Sequence, residues 1–97
     1  MAKRPGDEIV VWNTGRKYTE HGQRMAAKIV GNTIYVVDID RGLDMMFPLV
    51  FAELAVERDF IAQIMAMYDK GMFVSLWTFQ SEETELHVAL IEAAGRL

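Results

Sequence analysis

Gly31-Asn32, set between two β-rich runs, is the feature that leaves this chain the fewest folds to choose from. Met25, Ala27 and Ile29 alternate with Arg24, Ala26 and Lys28, the period-2 pattern of a strand with one dry face and one wet face. Gly followed by Asn is a two-residue hairpin signal, because both residues tolerate positive φ. The returning run, Thr33 to Ile39, is nearly all β-former (Ile34, Tyr35, Val36, Val37) and apolar on both faces. That predicts a central strand covered on both sides. The stretch from Arg24 to Leu49 therefore reads as a hairpin, an acidic loop and the approach to a helix.

The remaining elements follow from local punctuation. Glu8 to Trp12 reads as a first strand, broken by Asn13-Thr14-Gly15 and followed by a polar, partly basic loop through Gly22. Leu43 to Phe47 is expected to be a loop leading to Pro48, which suits the first turn of a helix. That helix is expected to run to Lys70, with Gly71 as its stop. Glu57 falls in the middle of its apolar stripe (Val50, Phe51, Leu54), which predicts a break near Val56–Arg58 or exposure of the stripe to a partner. Farther on, Ile61, Ile64, Met65 and Tyr68 share one face, and Met67 points off it. Met72 to Phe79 reads as a further strand, with a buried extended segment as the rival. Ser81 reads as an N-cap, with Glu82, Glu83 and Glu85 in the first turns. A last helix then carries Leu86, Leu90 and Ala93 on one face and ends at Gly95. The expected order is β-β-β-α-β-α. The class is α+β, a small antiparallel sheet of three to four strands with both helices on one face.

With 97 residues, one domain is expected, frayed over residues 1–7. Hydrophobic residues at 52% and charged residues at 25% argue for a globular chain over a disordered one. There is no cysteine, which removes disulfide and thiolate chemistry. The start of the chain runs into Pro, Gly and acids without an apolar stretch, so a cytoplasmic protein is expected. The net charge of −4 is unevenly spread: residues 1–41 carry 7 − 5 = +2 and residues 42–97 carry 3 − 9 = −6. Such a split steers partners electrostatically.

Few side-chain sets point to chemistry. Asp38, Asp40 and Asp44 alternate around Gly42, as carboxylates converging on a hard cation do. However, an EF-hand loop needs a bidentate Glu at its twelfth position, where Leu49 stands, and Arg41 brings positive charge to the site. Solvated acids at a strand end, one of them paired to Arg41, is the favoured reading, and no metal or cofactor is expected. His21 and His87 have no zinc-ligand spacing. His21 reads as a surface residue, with a pairing to Glu20 as the alternative, and His87 as a partly buried structural one. No nucleophile, base and orienter can be assembled into a set, so an enzyme is not expected. Arg16, Lys17, Tyr18, Arg24 and Lys28 offer cations and a ring of the kind single-stranded nucleic acid uses, although the acidic balance, pI ≈ 5.0, is unlike most such binders. Met45, Met46 and Phe47 in a loop would supply adaptable apolar anchors.

The string Trp12-Asn13-Thr14-Gly15-Arg16, with Tyr18, Gly22-Gln23-Arg24 and Asp38-Ile39-Asp40-Arg41-Gly42, resembles small proteins carried by bacteriophages and other mobile elements. That class includes many inhibitors of host defence, anti-CRISPR proteins among them. The resemblance implies a protein-binding module acting in the host cytoplasm by occlusion or charge mimicry on a nucleic-acid-handling or defence complex. On this reading Asp38, Asp40, Asp44, Glu53 and Glu57 would face the partner, with Met45, Met46 and Phe47 as anchors. A homodimer using a sheet edge or the methionine-bearing helix, and a nucleic-acid module using residues 16–28, are the alternatives.

Overall fold

The hairpin forms where Gly31-Asn32 places it. In the computed structural model, which describes residues 4–50, 53–73 and 84–97, strands β1 (Val10–Asn13), β2 (Arg24–Val30), β3 (Thr33–Asp38) and β4 (Leu43–Pro48) precede helices α1 (Glu57–Asp69) and α2 (Thr84–Gly95). β2 and β3 pair antiparallel, with Val30 opposite Thr33. Only Gly31 takes a positive φ, 63°, and Asn32 does not. Glycine at the first central position is what a type II′ turn requires, so the turn uses the freedom of one residue where the sequence offered two.

The strands form one antiparallel sheet in the order β1-β2-β3-β4. β4 departs from expectation: Leu43 to Phe47 is a strand, and Pro48 ends it where a helix start was expected. Its alternation explains why. Leu43, Met45 and Phe47 pack into one core, while Met46 packs into the other. β4 also lies at the sheet edge, where a proline's missing N–H is tolerated.

Side-chain alternation in β2 and β3 sets the layers. Met25, Ala27 and Ile29 of β2 join Ile34 and Val36 of β3 in a core closed by Phe60, Ile64, Met67 and Tyr68 of α1. Their neighbours Ala26 and Val37 point the other way and meet Leu90 and Ala94 of α2. The α+β class and the antiparallel sheet are as read from the sequence, but the helices cover opposite faces, not one. The described elements run β-β-β-β-α-α. A central strand apolar on both sides demands this arrangement, because each face needs its own cover. The expected strand at Met72–Phe79 lies outside the described residues beyond Phe73, as does the Ser81 cap.

Helix α1 starts at the break that Glu57 predicted, after an extended Val56 (φ −137°, ψ 159°). Its buried face includes Met67, which the sequence placed off the stripe. Residues 4–7, expected to fray, are instead tied down. Arg4 pairs with Asp7 at 2.9 Å, and the Gly6 carbonyl accepts the Ile29 N–H at 2.7 Å. Gly6 sits against the α1 core with φ 96°, where an added Cβ would stand 2.7 Å from Ile29 Cδ1 and 2.8 Å from Phe60 Cζ. Gly6→Ala is therefore expected to cost about 1–3 kcal/mol. The check is urea unfolding, where the midpoint falls and the slope is unchanged.

Candidate functional site: a pinned loop over a buried polar cluster

Gln23, just before β2, and Asp38, the last residue of β3, keep the inward parity of Met25 and Val36, and both are fully buried. A polar group there must be hydrogen-bonded, and the partners come from three elements. Asp38 Oδ2 accepts from Gln23 Nε2 at 2.7 Å and from the Tyr68 hydroxyl at 2.7 Å. Gln23 Nε2 also donates to the Tyr68 oxygen at 3.1 Å, and Gln23 Oε1 accepts from Thr14 Oγ1 at 2.6 Å. Arg41 Nη1 donates to the same Tyr68 oxygen. Burial, reinforced by the hydrogen bond to Asp38, pushes the Tyr68 phenol up to about 12. Tyr68 thus stays protonated and acts as a donor at neutral pH.

Above this cluster runs the loop from Thr14 to Gly22, fastened along its length. Asn13 Nδ2 donates to the His21 carbonyl at 2.8 Å, and Asn13 Oδ1 accepts from the N–H groups of Gly15 and Gln23. Arg16 makes a two-pronged pair with Asp69 at the end of α1, at 2.7 and 2.8 Å. That hydrogen-bonded cation holds the Asp69 carboxyl below its ordinary range. Thr19 Oγ1 donates to Asp40 Oδ1 at 2.8 Å. Asp40 also takes the fork of Arg24, Nε at 3.0 Å and Nη2 at 2.9 Å, and the Arg24 backbone N–H at 2.6 Å. These donors, the Arg24 side chain foremost, hold Asp40 well below the usual carboxylate range. Tyr18 is 49% exposed, and the Arg41 guanidinium stands 4.8 Å from its ring centre, within cation–π range.

The residues expected to form the partner surface are dispersed by this arrangement. Asp38, Met45 and Phe47 are fully buried and present nothing to a partner. Asp40 is enclosed by Arg24 and Thr19. Asp44 turns to the α2 face, 2.8 Å from His87 Nε2, and Met46 packs on that face half-buried. Only Glu53 and Glu57 stay exposed. The three aspartates therefore do not converge: strand alternation sends Asp38 and Asp44 to opposite faces, and Arg24, not Arg41, is the ion-pair partner of Asp40. Of the basic and aromatic set, Arg16, Lys17 and Tyr18 share the loop. Arg24 is consumed by Asp40, and Lys28 lies half-buried opposite Tyr35. His21 pairs with Glu20 at 3.3 Å on the surface.

Thr14 and Gln23 belong to the motif string and Tyr68 to the apolar face of the helix, but none of the three carries a site role in the sequence reading. Strand parity was the available signal, since a Gln and an Asp at inward positions imply a buried polar contact. No groups of three or more metal-binding side chains come together among the described residues, and no helix there is long and apolar enough to cross a membrane. The chain matches no protein-family model, no curated protein and no solved structure.

The Asp40 geometry carries a pH dependence. A carboxyl held low in the folded state adds stability above its ordinary 3.8, and that contribution is lost as the pH falls toward the folded value. Urea midpoints should therefore drop more steeply in the wild type than in Asp40→Asn between about pH 4 and about pH 2. Parallel curves would contradict the pairing of Asp40 with Arg24.

Proposed function

We propose that the chain is a protein-binding module whose recognition element is the loop from Thr14 to Gly22. The observation that carries this reading is Tyr18: a half-exposed ring, stacked by Arg41, on a loop fastened to the end of β1, the turn after β3 and α1. Tyrosine and arginine are the side chains that most often dominate binding energy at interfaces. A loop ordered before contact loses less entropy when it binds. Gln23, Tyr68 and Arg41 beneath it are engaged with one another and with Asp38 Oδ2, which supports a holding role over bond-making. In its most concrete form the module is a phage or mobile-element inhibitor that occludes a host nucleic-acid-handling or defence complex. The net charge of −4 and the motif resemblance support that form.

Exposed Lys17 beside Tyr18 and Arg41 favours a second reading, stacking on single-stranded nucleic acid. One experiment separates the two. Tagged wild type and Tyr18→Ala are used for capture from a lysate of the host, with a parallel gel shift on short DNA and RNA at low salt. The expected result is a protein captured by the wild type and reduced on the order of tenfold or more by Tyr18→Ala, with the circular dichroism spectrum unchanged. Capture indifferent to Tyr18→Ala would reject the loop. A Tyr18-dependent gel shift at micromolar protein would favour the nucleic-acid reading instead.

A further inference from the structure

Three arginines stand in or beside the loop from Thr14 to Gly22, and two of them hold a carboxylate in a two-pronged grip. Arg16 takes Asp69 with Nη1 at 2.7 Å and Nη2 at 2.8 Å. Arg24 takes Asp40 with Nε at 3.0 Å and Nη2 at 2.9 Å. Arg41 has no such partner among the described residues. Asp40 is turned to Arg24, and buried Asp38 reaches Arg41 only through the Tyr68 hydroxyl, which accepts from Arg41 Nη1. The Arg41 guanidinium is held all the same, 4.8 Å from the ring centre of Tyr18 and 5.8 Å from that of Tyr68. Its Nε and Nη2 donors form the same edge with which Arg24 grips Asp40. On Arg41, an exposed side chain, that edge has no acceptor among the described residues.

We propose that this edge of Arg41 receives a carboxylate of the protein partner, an Asp or Glu side chain lying in the guanidinium plane beside Tyr18. The proposal rests on the loop being a protein-binding element and names the group that it grips. A guanidinium edge matches a carboxylate with two parallel, charge-assisted hydrogen bonds. One already held by two rings and a hydroxyl loses little freedom on binding. Charge placement favours a lone carboxylate over a nucleic-acid backbone. Arg16 and Arg24 are neutralised by their own aspartates. That leaves Lys17 and Arg41 as the unpaired cations of the loop and of the turn after β3, among the described residues, and Glu20 adds an exposed negative charge to the same loop. A phosphate chain is held by a row of cations, whereas a single carboxylate needs one.

The test is selection of a displayed random peptide library on the immobilised full chain, followed by fluorescence titration of the enriched sequences as synthetic peptides. These should share an Asp or Glu and bind the wild type with a dissociation constant on the order of 10–100 µM. Replacing that acid by its amide in the peptide should weaken binding at least about tenfold, a readout that leaves the protein untouched. Arg41→Lys keeps the charge and loses the fork, and should weaken binding by a similar factor with the circular dichroism spectrum unchanged. The Arg41 Nε–H proton resonance should move downfield with the acidic peptide and stay in place with the amide. A selection that enriches nothing, peptides without a shared acid, or binding indifferent to the amide or to Arg41→Lys would overturn the proposal. Peptides that lose binding in Tyr18→Ala but not in Arg41→Lys would overturn the carboxylate contact alone and leave the loop as the recognition element. A low-salt gel shift on short DNA or RNA that Arg41→Lys abolishes, with no peptide enriched, would assign the edge to phosphate instead.

Discussion

The fold turns on one buried carboxylate. Asp38 sits at full burial on the inner face of β3, a position that ordinarily excludes a charge. Two donors meet at its Oδ2, one from β2 (just before its first residue) and one from α1, with the Arg41 cation one hydrogen bond farther out. Desolvating a carboxylate costs several kcal/mol unless such partners are in place. The cluster therefore forms only when the sheet, α1 and the turn after β3 come together, which makes it a condition on correct assembly as well as a contact.

The same requirement links fold to surface. Thr14 bonds to Gln23 inside the cluster, and Arg41 reaches from the cluster to the exposed ring of Tyr18. Arg16 and Thr19 tie the loop to Asp69 and Asp40. The two exposed pairings, Arg16 with Asp69 and Glu20 with His21, contribute little by themselves, since surface ion pairs are screened by water. The enclosed contacts do most of the holding. The loop's order is thus set jointly by its own Thr14 and Thr19 hydroxyls and, from beneath, by Gln23 and Asp40, which lie outside it.

Much of the sheet was legible in the sequence and much of the site was not, for identifiable reasons. Alternation in residues 24–38 gave β2 and β3, because period 2 is a local signal, and the doubly apolar β3 called for cover on both sides, although both helices were expected on one face. Glu57 marked the true start of α1, because a carboxylate does not sit unpaired in an apolar stripe. Pro48 misled: it fits a helix start as well as a strand end at a sheet edge, and only the pairing of β4 with β3 decides between them. Asp38, Asp40 and Asp44 looked like one acidic surface because they are close in sequence. Strand geometry then turned Asp38 toward Tyr68 and Asp44 toward His87. Gln23 and Tyr68 are separated by 68 − 23 = 45 positions, and no local pattern joins them.

The claim that the buried cluster orders the loop is tested most directly by amide hydrogen exchange on the wild type and on Tyr68→Phe. The amides of Gly15, Arg16, His21 and Gln23 donate to the side chains of Asn13, Thr14 and Thr19 and should be protected in the wild type. Removing the Tyr68 hydroxyl should lower that protection by at least about tenfold, and by more than at Lys28 in the hairpin. Loop amides that exchange as an unstructured peptide in the wild type, or that are unmoved by Tyr68→Phe, would contradict the account.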